Sequence, residues 1–371
     1  MVADMRIPFH RLFRSVQRIL LLLLCTAVLA PAAAHAEKEL PVISVGAILG
    51  LTGPVVSMNQ DLRDGAILAA EDLQRLGKAN LQLHFEDSRW QPAAAVSAYR
   101  SLQMKYKPQA ILIAGSGTSL AVKPLTEKDQ VVLFSLAAHP QILTNTRFSF
   151  RYANRIDRDV QVFATALAAG KPHRTALITT ENDWGIEFER LLKDELTKRK
   201  IEQDSVLHLP DESDFRSHLL QIFKRKPELL AINSFGLSAA QIILQARQLG
   251  FKGPIYANNG LGLSPDALAV LKDKAIGPLH IQVYQDPPAE FTKHFAARFQ
   301  RQPSLFALMA YNQCELLAEA VRQRNAPAKP AAIADYLRGL GRFAGSYQEI
   351  AIGSDGDIVV DTVVKVWEAA G

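Results

Sequence analysis

Residues 109–119 read QAILIAGSGTS, an apolar run that ends in a turn rich in glycine and hydroxyl side chains. The apolar run is typical of a buried strand, and the segment after the turn is compatible with a helix. In open α/β sheets, ligands bind beyond the carboxyl ends of the strands, where loops lead into helices. The stretch therefore predicts an α/β fold and a candidate site at residues 114–119.

The same alternation of strand and helix occurs in two series along the chain. The predicted strands are apolar on both faces, as in a parallel sheet that helices cover on each side. Predicted strands lie at 42–49, 81–87, 109–115 and 131–135 in the first series and at 174–180, 205–209, 228–234 and 254–259 in the second, which has helices at 185–199, 214–225 and 238–249. Two such series predict two doubly wound parallel-sheet lobes.

The first 36 residues have the features of a secretory signal peptide. Four arginines precede an apolar run at 19–30, which is shorter than the roughly 20 residues that span a membrane. The small-x-small sequence at 34–36 predicts cleavage near Ala36 and export to the periplasm. Cleavage removes four Arg and one Asp, so 38 basic and 36 acidic residues remain, a net charge of +2.

The composition after cleavage argues against several classes of protein. A net charge near zero without a run of like charges disfavours a nucleic-acid partner. Cys314 is then the single cysteine, so no internal disulfide can form.

The turn at 114–119 does not match the motifs of several enzyme classes. A phosphate-binding P-loop needs a Lys after its second Gly, and a dinucleotide-binding turn needs a third Gly; position 120 is Leu. A nucleophile elbow needs glycines two residues on either side of the serine, but Ala114 and Thr118 flank Ser116 there. The histidines also lack the close spacing of metal ligands. We therefore predict no enzymatic activity, no cofactor and no metal.

Two interpretations of this turn stay open. Backbone N–H groups at a helix start, with the hydroxyls of Ser116, Thr118 and Ser119, suit a carboxylate or a similar acceptor. The same residues also serve as an ordinary helix cap. Trp184 and Phe235 follow other predicted strands, where an aromatic ring either lines a ligand or packs within its lobe.

The order of the motifs resembles that of the type I periplasmic binding proteins, in particular the leucine/isoleucine/valine-binding solute receptors of ABC transporters. The resemblance covers the chain beyond the leader, and its most specific parts are the TGP turn at 52–54 with Gly65-Ala66 downstream, the acidic stretch and QP at 86–92, and the spacing from GSGTS to AAHP. It implies two lobes joined by a three-segment hinge. We place the N-terminal lobe at 37–153 and 283–342, and the C-terminal lobe at 154–282 and 343–371.

The resemblance also implies a set of ligand-binding residues. The loop that takes the ligand carboxylate in the family falls on Ser116, Gly117 and Thr118. A second loop, which contacts the ligand ammonium, falls on Ala137 and Ala138. The remaining positions are two aromatic contacts at Trp184 and Phe235, an acidic residue that falls on Asn259, and a first-loop aromatic that falls on Met58.

The departures from the family pattern concern the ligand. Ala138 stands for an ammonium-binding Thr and Asn259 for a carboxylate, so one end of the site loses a hydroxyl and a charge. An unpaired buried ammonium costs several kcal/mol, which disfavours an ordinary α-amino acid unless Glu181 or Asp183 takes the acid's place. The pattern favours an aromatic or aliphatic carboxylate or an amide.

The sequence thus predicts a periplasmic receptor that closes around a small organic ligand and delivers it to an ABC transporter permease in the inner membrane. The alternative is an envelope sensor or partner-binding module on the same fold, which a cleft filled by side chains would favour.

Overall fold

The computed structural model describes residues 40–53, 55–262, 265–272, 274, 276–323 and 329–367. The predicted signal peptide lies outside these residues. From Leu40 onward the chain forms one compact unit that contains two six-stranded sheets.

The first sheet is parallel throughout, in the order β13-β5-β4-β3-β1-β2. Its strands are β1 (Val42–Leu49), β2 (Asn80–Asp87), β3 (Ala110–Ala114), β4 (Val132–Leu136), β5 (Ser149–Asn154) and β13 (Asp357–Val360). One face packs on α1 (Val56–Arg75), α10 (Ala289–Phe299), α11 (Leu305–Gln323) and α12 (Pro330–Gly339), and the other on α2 (Pro92–Tyr106) and α3 (Ser116–Asp129). A 3-10 turn at Pro140–Leu143 and a hairpin, β11 (Arg342–Ala344) and β12 (Glu349–Ala351), complete this part.

The second sheet has the order β14-β10-β9-β8-β6-β7, and only β14 runs antiparallel to its neighbour. Its strands are β6 (Arg174–Thr180), β7 (Glu202–His208), β8 (Leu229–Asn233), β9 (Ile255–Ala257), β10 (Leu279–Tyr284) and β14 (Thr362–Val366). One face packs on α4 (Ile156–Ala168) and α5 (Asp183–Lys198), and the other on α6 (Arg216–Phe223), α7 (Gly236–Gln248) and α9 (Pro265–Leu271); a single turn, α8 (Asn259–Gly262), follows β9.

The burial of the central strands explains this architecture. Every residue of β3, β4 and β8 is buried, so each strand needs apolar cover on both faces. Helices on both sides of a parallel sheet supply that cover. The predicted fold class, two doubly wound parallel-sheet lobes, is confirmed.

The chain crosses between the sheets three times, and the last crossing differs from the predicted lobe boundary. We expected 343–371 to lie wholly in the C-terminal lobe, but β13 pairs with β5 in the first sheet, and only β14 joins the second. A buried ion pair holds β13 there, because the Arg151 guanidinium donates to both carboxylate oxygens of Asp357, at 3.0 and 2.7 Å. The third crossing is therefore at Asp361, and the second follows Tyr284.

Helices α1 and α11 approach each other closely at Gly65. A Cβ added to Gly65 would lie 2.0 Å from the backbone oxygen of Ala307, an atom that no side-chain rotation can move away. We predict that Gly65→Ala lowers the free energy of unfolding by about 1–3 kcal/mol, although alanine favours helix, because overpacking outweighs propensity. Urea unfolding measures this change. Gly170→Ala is the matched control, since nothing lies within 4 Å of its added Cβ. An equal loss in both variants would contradict the packing explanation.

Candidate ligand-binding site

A cavity lies between the two lobes, beyond the carboxyl ends of β3, β4, β6 and β8. Its volume is about 120 Å³, of the order of the roughly 150 Å³ apolar cavity known to accept benzene. Residues of both sheets line it. All nine predicted ligand-binding residues are among them: Met58, Ser116, Gly117, Thr118, Ala137, Ala138, Trp184, Phe235 and Asn259. Their role in binding stays a prediction, but the structure does bring them together.

The start of α3 forms one end of the cavity. Gly115, with φ of 97°, takes the left-handed conformation that lets the chain turn sharply from β3 into the helix. The first N–H groups of a helix have no acceptor within it and carry the positive end of its dipole. Within the described part of the chain, the buried Ser116 Oγ makes no hydrogen bond. This end of the cavity therefore offers unused donors, which suit an anionic or carbonyl oxygen.

The role predicted for the Thr118 hydroxyl differs from what the structure shows. Its Oγ1 donates to the backbone oxygens of Ala114 and Gly115, the latter at 2.9 Å. A hydroxyl has a single proton, so this group cannot also donate to a ligand carboxylate. The backbone N–H of Thr118 and the hydroxyl of Ser116 are therefore the groups that remain for a ligand at this end, and their role in binding stays a prediction.

The loop after β4 brings Ala137 and Ala138 to the cavity. The carbonyl oxygen of Ala138 already accepts hydrogen bonds from Arg151 Nη1 at 3.3 Å and from the backbone N–H of Ile156 at 3.4 Å. A carbonyl held by a guanidinium is a poor acceptor for a second cation. Ala138, which stands for the ammonium-binding Thr of the family, therefore offers an ammonium neither a hydroxyl nor an unengaged carbonyl, whereas the backbone of Ala137 stays the predicted contact of this loop.

Aromatic side chains from both lobes line the middle of the cavity. The ring centroids of Trp184 and Phe235 are 4.5 Å apart, and Trp90 meets Phe235 edge-on at 6.2 Å. Trp90 comes from the loop after β2, so these three rings join the lobes. We did not predict Trp90 as a site residue, although its place just beyond the end of a strand is a signal that identifies it.

The opposite end of the cavity holds Asn154, Asn259 and Tyr284, and the buried carboxylate of Asp159 lies behind them. Asn259 Nδ2 donates to Asp159 Oδ2 at 3.3 Å and to Tyr284 Oη at 3.1 Å. Tyr284 Oη donates to Asn154 Oδ1 at 2.6 Å, and Asn154 Nδ2 donates to Asp159 Oδ2. These four side chains form a closed ring of hydrogen bonds, called the Asp159 ring below. Asp159 was missed in the sequence because it looks like one of two ordinary acids in the first turn of a helix.

Glu181 and Asp183 were considered as substitutes for the carboxylate that Asn259 replaces, but neither lies at the Asn259 end of the cavity. Glu181 is exposed and does not line the cavity. Asp183 lines it from the start of α5, but its Oδ2 lies 2.6 Å from the position of a Cβ on Gly117. Asp183 therefore faces the α3 end of the cavity.

The geometry gives no support to catalysis by Ser116, because no base in the described residues bonds to its hydroxyl. The described residues also contain no group of three or more His, Cys, Asp or Glu placed to hold a metal. None of the helices in these ranges combines the length and apolar character needed to cross a bilayer.

Two doubly wound lobes that enclose a cavity and are joined by three crossings define the class of two-lobed solute-binding proteins. A family model described as periplasmic binding protein matches residues 42–369, and the chain belongs to this family. The family is one of solute-binding proteins of the periplasm. The resemblance inferred from the sequence is therefore confirmed.

Three relatives illustrate a similarity that is low in sequence identity but extends over most of each chain. The Leu/Ile/Val-binding protein BraC3 of Rhizobium johnstonii is 21% identical over 357 residues, which are 93% of this chain and 96% of that protein. The structure of a leucine-binding protein, LivK, from Thermotoga maritima has 21% identity and a TM-score of 0.77, and covers 88% of this chain and 95% of its own. A solute-binding protein from R. palustris in complex with benzoate has 17% identity and a TM-score of 0.76, with 88% and 93% covered.

Burial raises the pKa of Asp159 to about 7, and the nearby carboxylates of Asp157 and Asp361 act in the same direction, against the hydrogen bonds from Thr362 and Asn259. An unfolded aspartate has a pKa of about 3.9. The folded protein therefore binds this proton more tightly. The resulting contribution to stability is complete below about pH 4 and is lost as the pH rises through about 7.

We predict that the wild-type protein loses stability relative to Asp159→Asn as the pH rises from 5 to 7.5. The slope is at most about 1.4 kcal/mol per pH unit, because a single proton is involved. Urea unfolding of both proteins at several pH values measures the difference, in which other titrating groups cancel. Parallel stability curves for the two proteins would show that Asp159 does not titrate in this range.

Proposed function

We propose that the protein is the solute receptor of an ABC transporter and that it binds a small organic carboxylate without an α-ammonium group. This role includes delivery to an inner-membrane permease, and the small-x-small sequence at 34–36 supports export with removal of the leader near Ala36. One observation carries the choice of ligand class. The cavity has unused donors at Ser116 and the start of α3, but a neutral amide, Asn259, at the opposite end.

The cavity between these ends supports the same class of ligand. Trp184 and Phe235 offer apolar ring faces, and a cavity of about 120 Å³ is of the size that one ring or one branched alkyl chain requires. The benzoate complex of the similar R. palustris protein shows that this fold accepts an aromatic acid. The names of other relatives point to branched-chain amino acids, so the ammonium is the group to test.

Isothermal titration calorimetry on residues 37–371 tests the proposal. The matched pair is leucine and 4-methylpentanoate, which differ only in the ammonium group; benzoate and benzamide complete the set. We expect benzoate or 4-methylpentanoate to bind, and leucine to bind at least tenfold more weakly than 4-methylpentanoate, because a buried ammonium finds no carboxylate at Asn259. Tighter binding of leucine would overturn the assignment of ligand class and leave a receptor for amino acids.

Asp183 provides a second test of the same assignment. A ligand carboxylate at Ser116 would be repelled by the Asp183 carboxylate, which faces the same end of the cavity. We predict that Asp183→Asn tightens the binding of benzoate or 4-methylpentanoate by about two- to fivefold, the modest size expected for an exposed charge. Titration calorimetry at low salt measures this change.

Glu181→Gln is the matched control for Asp183→Asn, because Glu181 is adjacent in sequence, is exposed and does not line the cavity. It should leave the affinity unchanged. An unchanged or weaker affinity for acids in Asp183→Asn would place the carboxylate away from α3 and contradict the proposed orientation.

A further inference from the structure

The hydrogen bonds of Asn259 determine which of its atoms is left for a ligand. Both N–H bonds of its amide point away into the Asp159 ring, to Asp159 Oδ2 at 3.3 Å and to Tyr284 Oη at 3.1 Å. No donor in the described part of the chain bonds to its carbonyl oxygen, and the residue lines the cavity. The atom that Asn259 keeps for the cavity is therefore an acceptor.

The orientation of the amide is imposed by Asp159, which does not line the cavity itself. At pH 8, above its pKa of about 7, Asp159 is ionised and only accepts hydrogen bonds, so the NH₂ groups of both Asn259 and Asn154 must face it. Asn154 then presents its carbonyl oxygen to Tyr284, whose proton it accepts. Tyr284 Oη in turn accepts from Asn259. Asp159 cannot donate a hydrogen bond, and this one restriction determines which group donates and which accepts in every hydrogen bond of the ring.

The Asn259 carbonyl oxygen limits the chemistry of the ligand group that binds to it. A neutral amide oxygen accepts at most two hydrogen bonds and carries no charge, and each donor left unpaired costs about 1–3 kcal/mol. An ammonium brings three donors and a charge, whereas a hydroxyl or a carboxamide brings one or two donors and no charge. The Asn259 carbonyl oxygen therefore suits a hydroxyl or carboxamide group of the ligand better than an ammonium group.

We propose that Asp159 is a positioning residue for specificity: it turns the Asn259 carbonyl toward the cavity, so that the ligand carries a neutral hydroxyl or amide donor at the end opposite its carboxylate. This inference rests on the proposed function, since the carboxylate end is assigned to Ser116. It narrows the ligand class to acids such as hydroxybenzoates.

The isosteric substitution Asp159→Asn reverses the ring without removing it. Thr362 Oγ1 accepts from Gln282 Nε2 at 2.7 Å and donates to Asp159 Oδ1, so it still needs an acceptor at residue 159. The new amide keeps its oxygen toward Thr362 and turns its NH₂ to the ring. A donor then faces Asn259, whose amide flips and presents N–H to the cavity.

The experiment measures binding of 3- and 4-hydroxybenzoate, the corresponding methoxybenzoates and benzoate to the wild-type protein and to Asp159→Asn, by titration calorimetry at pH 8. A methoxy group accepts but does not donate, so each pair isolates the donor. In the wild type we expect the better hydroxybenzoate to bind at least tenfold more tightly than its methoxy counterpart. In Asp159→Asn this preference should fall below threefold or reverse, while the affinity for benzoate changes less than threefold.

Each other result contradicts the inference in a recognisable way. Binding of benzoate without a preference for the hydroxy acid in the wild type would overturn the inference and leave the proposed function intact. A tenfold preference that persists in Asp159→Asn would show that Asp159 does not orient Asn259. Failure of every acid to bind the wild type would overturn the proposed ligand class and the inference together. A purely structural role for Asp159 would lower all affinities equally and leave the ratio of hydroxy to methoxy acid unchanged.

Discussion

The buried carboxylate of Asp159 is the constraint on which the two-lobed arrangement depends. It accepts hydrogen bonds from Asn154 at the end of β5, from Asn259 at the start of α8, and from Thr362 at the start of β14. Asn154 and Thr362 lie at the first and third crossings between the sheets, and Asn259 bonds to Tyr284, which lies at the second. Burying a charge is costly, and three donors offset that cost only while all three segments keep their places. The hinge is thus organised around one residue.

The same residue connects the hinge to the cavity. Three members of the Asp159 ring also form part of the cavity wall: Asn154, Asn259 and Tyr284. At the opposite end, α3 begins directly after a buried strand and offers donors that its own backbone leaves unused. The fold therefore places a donating end and an accepting end in one small apolar space. A rearrangement of the crossings would alter the accepting end, because Asn154 and Tyr284 lie beside two of them.

The sequence predicted the central strands well because each is a continuous apolar run bounded by turns, as at β1 and β6. It did not reveal β13 and β14, since two short strands separated only by Asp361 belong to different sheets, and their pairing depends on the distant ion pair of Arg151 with Asp357. The cavity residues followed from family resemblance and loop position. The engagement of the Thr118 hydroxyl by the backbone and the ring around Asp159 did not, because sequence patterns specify residue types and not hydrogen-bond partners.

The three tryptophans of the chain are unevenly distributed. Trp90 and Trp184 lie at the cavity on opposite lobes and both meet Phe235, whereas Trp367 packs against the core of the second sheet. Two of the three tryptophans therefore line the cavity, and a ligand that enters it would change the surroundings of both rings. The protein thus carries a built-in optical signal of whether the cavity is occupied, which needs no attached label.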